Sequence, residues 1–193
     1  MARTKDFDED EVLKKAVDLF WLKGYSATSM QDLVDSLGIS RSSLYDTYGD
    51  KHTLFIKALE RYQREVSSVF CNIINSDLPA KEIVKELLEM IVGELVSDKA
   101  HKGCFLVNAE VEVAPHDPEA NQIICAGDQQ VEDTFYLVIK QGQEKGEIKN
   151  KEDARALARF TFNTVKGIRV TAKSTSDKAV FEDIIKMAIS VLH

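Results

Sequence analysis

Apolar side chains recur every three or four positions along most of this chain, the spacing of helices that each bury one face. Leu13, Val17, Phe20 and Trp21 mark the first stripe, which Gly24 closes. Thr28, with Gln31 three residues on, reads as a capping box opening a second helix that turns Leu33, Val34 and Leu37 inward and stops at Gly38. Ser40 caps a third, very short helix over Arg41 to Thr47, with Ile39 and Leu44 facing inward. After Gly49, Asp50 caps a long amphipathic helix from Lys51 to about Asn75. Further helices are predicted over 79–96, 104–113, 118–145, 152–173 and 177–192, the third of these with Pro118 in its first turn. The expected fold is all-α. Residues 1–50 form a three-helix unit, and residues 51–193 form a larger helical one joined to it through the long fourth helix.

Composition agrees. Three prolines and nine glycines in 193 residues leave helices uninterrupted, and 44% hydrophobic residues are enough for a real core. No apolar run is long enough to span a membrane, and the charged start MARTKDFDEDEVLKK lacks the apolar segment of a secretory signal. Cys71, Cys104 and Cys125 are odd in number and lack metal-site spacing, as expected in a reducing cytoplasm. The net charge of −7 argues against binding a polyanion with the whole surface. It leaves room for a local basic patch. Asp6, Asp8, Glu9, Asp10 and Glu11 crowd the first helix start, where the helix dipole favours acids, whereas Arg41, Lys51, Lys57, Arg61 and Arg64 outnumber Asp46, Asp50 and Glu60 between residues 38 and 64.

The order helix, short helix, Gly-containing turn, short helix is the helix-turn-helix plan, in which the second of the pair enters the major groove of DNA. Its outer face carries Arg41, Ser42, Ser43, Asp46 and Thr47. Short hydroxyl side chains let a helix sit deep in the groove, and an arginine can fork onto guanine. Tyr45, Tyr48 and Lys51 suit phosphates at the groove edges. Spacing alone leaves a second reading, a small solvated helix on a helical protein.

The stretch GYSATSMQDLVDSLGISRSSLYDTYGDKHTLFIKALERY, residues 24–62, resembles the DNA-binding domain of the TetR/AcrR family of transcriptional regulators. The likeness runs from the aromatic after Gly24 through Thr28-Ser29-Met30, Gly38-Ile39-Ser40 and Leu44-Tyr45 to Tyr48 and Lys51. It implies an all-helical homodimer on palindromic operator DNA, with contacts from Thr28, Ser29 and Gln31 at the second helix and from Ser40 to Lys51 at the third. Relatives often carry Lys-Gly-Thr where this chain has Arg41-Ser42-Ser43, and an aromatic at the position of Thr47. Asp46 adds an acid that repels phosphate unless it accepts from cytosine N4. A different operator sequence is expected.

The resemblance implies that the second half binds a small effector and dimerises through its last two long helices. Ala156, Phe160, Asn163, Gly167 and Val170 make one small, apolar helix face that either meets a second copy in a four-helix bundle or packs inside the chain. A mostly apolar cavity is expected among the helices carrying Met90, Phe105, Asn108, Phe135 and Phe162, with Cys104 on its wall. Asn108, an amide in an apolar stretch, either orients the ligand or ties two helices together. Glu110 and Glu112 read as solvated. Cys104 reads as a small hydrophobe or, by likeness of GCF to electrophile-sensing relatives, as a thiol activated by its helix start, His101 and Lys102.

An enzyme is the competing class. His52, His101, His116 and His193 show no metal spacing, and no phosphate-binding loop, dinucleotide glycines or Gly-x-Ser-x-Gly elbow is present. No metal or cofactor is expected. A ligand-independent DNA binder is a third class, for which the helical second half is excessive.

Overall fold

A computed structural model of the chain describes residues 7–74 and 76–193, apart from the side chains at 69, 71 and 72. Residues 1–6, Asn75 and the Cys71 side chain, all drawn on above, lie outside the described residues. The described residues form nine helices and no strand: α1 Glu9–Lys23, α2 Met30–Leu37, α3 Arg41–Tyr48, α4 Lys51–Ile74, α5 Ala80–Ser97, α6 Phe105–Glu112, α7 Pro118–Glu144, α8 Ala154–Thr171 and α9 Lys178–Ser190.

Side-chain caps set most of the helix starts. Asp8 accepts from the Asp10 and Glu11 amides before α1, Asp117 from Glu119 and Ala120 before α7, and Asp153 from Ala156 before α8. One cap differs from the sequence expectation. The box of α2 is Ser29 with Asp32, not Thr28 with Gln31. Thr28 is buried and its hydroxyl donates to the Gly24 carbonyl at 2.6 Å, while Gln31 reaches forward to Asp35 at 2.8 Å. Gly38 ends α2 with φ of 69°, a left-handed turn that any other residue would strain.

Two apolar cores form. The first joins Phe20, Leu33, Leu37 and Leu44 of the N-terminal helices to Phe55 and Leu59 of α4, and continues into Phe105, Ala109 and Val113 of α6 and Ile124 of α7. The second joins α5, α7, α8 and α9 through Leu87, Phe135, Ile139, Val165, Ile168 and Phe181. α4 belongs to both, giving Phe55 and Leu59 to one and Phe70 to the other. The helix-turn-helix core therefore runs past residue 50 into the larger unit.

Close packing of the second core depends on Gly142 of α7. A methyl group there would lie 2.5 Å from the Ala80 Cβ and 2.8 Å from Ile148 Cδ1. Gly142→Val should overpack this contact and cost about 1–3 kcal/mol. A thermal melt should show a midpoint lowered by several degrees, and an unchanged midpoint would refute the close approach of α5 and α7.

Candidate nucleic-acid interface and the cavity behind it

α3 is fixed by what it buries. Leu44 is fully inaccessible, and Tyr48 packs inward with its hydroxyl donating to the Glu9 carbonyl at 3.2 Å. Ser40, Arg41, Ser42, Tyr45 and Asp46 are left exposed, with Ser43, Thr47 and Lys51 half-buried beside them. The three serines form a hydroxyl cluster, Ser40 Oγ lying 2.9 Å from both Ser42 Oγ and Ser43 Oγ. Arg41 lies over the Tyr45 ring, 5.9 Å from its centre. The Lys51 ammonium stands 4.3 Å above Tyr25, and partial burial lowers its pKa against the opposing fields of Glu112 and Asp32.

This geometry trims the expected contact set. Thr28 and Tyr48 do not reach the outer face, because both hydroxyls are bound to backbone carbonyls within the fold. Ser29 and Gln31 are exposed at the start of α2, beside the recognition helix. The basic cluster shrinks as well, since Arg61 pairs with Asp10 of α1.

Behind this surface, Glu112 at the end of α6 holds the turn between α1 and α2. The Tyr25 N–H donates to Glu112 Oε2 at 3.1 Å and the Ser26 N–H to Oε1 at 2.7 Å. Gly24, with φ of 83°, lets the carboxylate approach, as a Cβ there would lie 2.8 Å from Oε2. Two further ties cross the same region. Trp21 Nε1 donates to the Gly103 carbonyl at 3.2 Å, and His52 Nε2 lies 2.7 Å from Asp117 Oδ2, the cap of α7. Glu110 also departs from the solvated reading, because the Lys166 ammonium of α8 donates to it at 2.7 Å.

A cavity of about 320 Å³ opens where the two cores meet. Val66, Phe70, Met90, Ile91 and Leu95 make its apolar wall, and Trp21, Tyr62, Cys104 and Arg169 close the other side. Met90 and Cys104 lie where the sequence placed them; the other expected lining residues do not. Phe105 is packed between Phe55 and Tyr62, with ring centres 5.8 and 5.7 Å away, Phe135 meets Phe70 edge to face inside the second core, and Phe162 is buried with Lys166 over its ring. Asn108 is a tie: its amide donates to the Lys102 carbonyl at 2.8 Å and accepts from Lys173, just past the end of α8, at 2.9 Å. The groups expected to activate Cys104 are turned elsewhere, His101 to the Ala172 carbonyl and Lys102 over Trp21. Its neighbour is the buried Tyr62 hydroxyl at 3.8 Å, whose own pKa burial pushes well up. The sequence reading missed most of this lining, and Arg169 is the buried charged residue among those it missed. A signal was present, an arginine interrupting the inward stripe of Val165, Ile168 and Ala172. A larger trough of about 930 Å³ between α5 and α9 is lined from those two helices and His193, with no residue of the N-terminal helices.

Comparison with known proteins gives the same family at both ends of the chain. Residues 12–58 match the model of bacterial regulatory proteins of the tetR family, and residues 80–188 match the tetracyclin repressor-like C-terminal domain. The chain is 34% identical over its whole length, and over the whole of that protein, to the uncharacterized HTH-type transcriptional regulator YezE of Bacillus subtilis strain 168. It is 28% identical to the HTH-type transcriptional repressor ComR of Escherichia coli K12, covering 99% of this chain and 90% of that one. Among solved structures, a cysteine-substituted form of the TetR family regulator CifR bound to a 26-bp double-strand operator superimposes with a TM-score of 0.88 at 26% identity, over 100% of both chains.

Two outcomes follow from the turn held by Glu112 and the cap held by Asp32. Glu112→Ala leaves the Tyr25 and Ser26 amides without their acceptor, a loss of about 1–3 kcal/mol. Hydrogen exchange at those two amides should accelerate roughly tenfold or more, and unchanged protection would show that the contact carries no weight. The Lys23 ammonium and the Ser29 amide hold the Asp32 carboxyl well below the usual carboxylate range. A folded-state pKa below the unfolded value near 3.9 means that the stabilisation is complete above about pH 4 and is lost as pH falls below it. Asp32→Asn should therefore flatten the acid limb of the stability profile, measured by denaturant titration at several pH values.

Proposed function

We propose that this chain, which belongs to the tetR family of bacterial regulatory proteins, is a homodimeric repressor that a small molecule releases from a palindromic operator. Membership makes it a helix-turn-helix transcriptional regulator. The observation that carries the finer reading is the position of the cavity. It lies at the seam between the two cores, with Trp21 of the first DNA-domain helix on its wall and the Gly103 carbonyl bound to that same indole.

On the DNA side, Arg41, Ser42 and Asp46 read base edges while Tyr45, Lys51 and the exposed start of α2 meet phosphates. On the opposite side, the exposed faces of α8 and α9 supply the dimer contact. Phe160 is 48% exposed, Val170 53% and Met187 64%, more apolar surface than two solvent-facing helices carry without a partner. Asn163 and Gly167 lie between them, and among the described residues no atom outside the helix's own turns comes within 4 Å of a Cβ built on Gly167. The exposure of this face supports a second copy of the chain as its occupant over packing inside the chain. DNA favours the dimer state whose recognition helices stand about 34–36 Å apart, one helical turn. An effector favours another spacing, and linkage requires DNA to weaken effector binding by the same factor.

Mobility shifts over an operator library separate the DNA roles. Arg41→Ala should lose about 1–3 kcal/mol on the preferred operator and relax the preference at one base pair. Lys51→Ala should weaken all sequences alike and lower the salt slope by about one. Unchanged preference in every groove-face variant would sink the assignment of α3. Because Gly167 faces open space within one chain, Gly167→Leu should fold normally yet shift the dimer towards monomer and lose operator affinity. Sedimentation showing an intact dimer in that variant would place the contact elsewhere.

A further inference from the structure

Arg169 is a buried arginine that the fold does not use. It is 8% exposed, it lines the cavity beside Tyr62 and Cys104, and among the described residues no acceptor is bonded to its guanidinium. The acids around it are engaged or outside. Asp128, whose field reaches Arg169, is held by the Lys166 ammonium at 2.5 Å. Asp98 accepts from the Ala100 and Lys102 amides at 3.1 and 2.8 Å, Glu65 pairs with Arg61 at 3.0 Å, and Glu94 is exposed at the rim. The guanidinium carries five donors in a fixed fork, and with no protein acceptor bonded to them among the described residues they stand open to an anion entering the cavity.

Building on the reading of this cavity as the effector site, we propose that it takes a small monocarboxylate, the carboxylate forked onto Arg169 and an apolar body lying against Val66, Phe70, Met90, Ile91 and Leu95. The planar five-donor guanidinium matches two carboxylate oxygens, and the Tyr62 hydroxyl, close enough for the Arg169 charge to act on it, adds a donor. Arg169 is the buried cation of the lining and matches one carboxylate, Lys102 being drawn over the Trp21 ring, and the rim acids turn a second negative charge away. About 320 Å³ is the small end of ligand sites and suits an aryl or medium-chain acid. The head group would be bound on the back of α8, one residue from Val170 of the proposed dimer face, and next to Lys166 and Lys173, which hold α6 through Glu110 and Asn108.

The test uses the whole protein with straight-chain acids from butanoate to decanoate and phenylacetate, each beside its neutral amide. Calorimetry should find an acid that binds roughly tenfold to a hundredfold tighter than its amide. Arg169→Met, which removes the buried charge while keeping the apolar stem, should melt no lower than the native chain and lose the preference for acid; Arg169→Lys should keep part of it. Equal binding of acid and amide, an Arg169→Met protein that still prefers the acid, or no binding by any acid of the series overturns the proposal, and the first and last need no variant. Operator release is read separately by fluorescence anisotropy. Acids that bind through Arg169 without releasing DNA support the carboxylate site and sink the effector reading. Amides that release DNA where acids fail keep that reading and sink this one.

Discussion

The Glu112 carboxylate accepts from two successive backbone amides in the turn between α1 and α2, and so joins α6 of the larger unit to the helices that carry α3. Burial of Leu33, Leu37 and Leu44 against Phe20 fixes α2 and α3 on α1, and the turn adds the link outward. Held at 2.7 and 3.1 Å by a charged acceptor from α6, it moves when α6 moves. α6 is short and has few options. Its start is the cavity residue Cys104, its Asn108 is bonded to the loop before it and to Lys173 just past α8, and its Glu110 pairs with Lys166 of α8. Anything that displaces α8 or the Gly103 loop is therefore felt at the turn that carries α2.

Local chemistry made most of the fold legible in the sequence. Helix stripes, Gly stops and Asp or Ser caps act within four residues, so the helices fall within a residue or two of their expected ends. The α2 cap was misread for a physical reason. Thr28 and Ser29 are adjacent and both can cap, and the choice fell to Ser29 because burial of Thr28 leaves its hydroxyl only the Gly24 carbonyl. Tyr48 shows the same limit. An aromatic after a recognition helix suits a phosphate or a core, and only the position of Glu9 in α1 decides which.

The cavity was less legible because it belongs to no single helix. Phe105, Phe135 and Phe162 are aromatic and on the right helices, yet each is taken into a core, Phe105 and Phe135 against rings of α4 and Phe162 within the second core with Lys166, one turn on, over its ring. Helical phase says which side of a helix is apolar; it does not say whether that side meets a neighbour or a void. Met90 and Cys104 were reachable because Met90 stands half-buried on α5 and Cys104 sits at the start of α6. Arg169 could have been found by asking the opposite question, where a charge lies on an apolar stripe with no partner within a turn.

An acidic chain of net charge −7 meets DNA under a further constraint. Screening at physiological salt confines charge effects to about 8 Å, so acids on the far side of the molecule hardly matter to a phosphate. What matters is local, and locally the surface is lean. α3 carries one cation, Arg41, and one acid, Asp46, while Arg61 is paired to α1. A single such half-site makes few phosphate contacts and holds DNA weakly. Useful affinity then requires two half-sites engaged together, and the second engagement exists only while the spacing between recognition helices matches the groove. In the homodimer we propose, a lean surface thus makes binding steeply dependent on the spacing of the two copies. That is the condition under which a shift too small to disturb either core, passed from α8 through α6 to the Tyr25–Ser26 turn, can decide whether the operator is held.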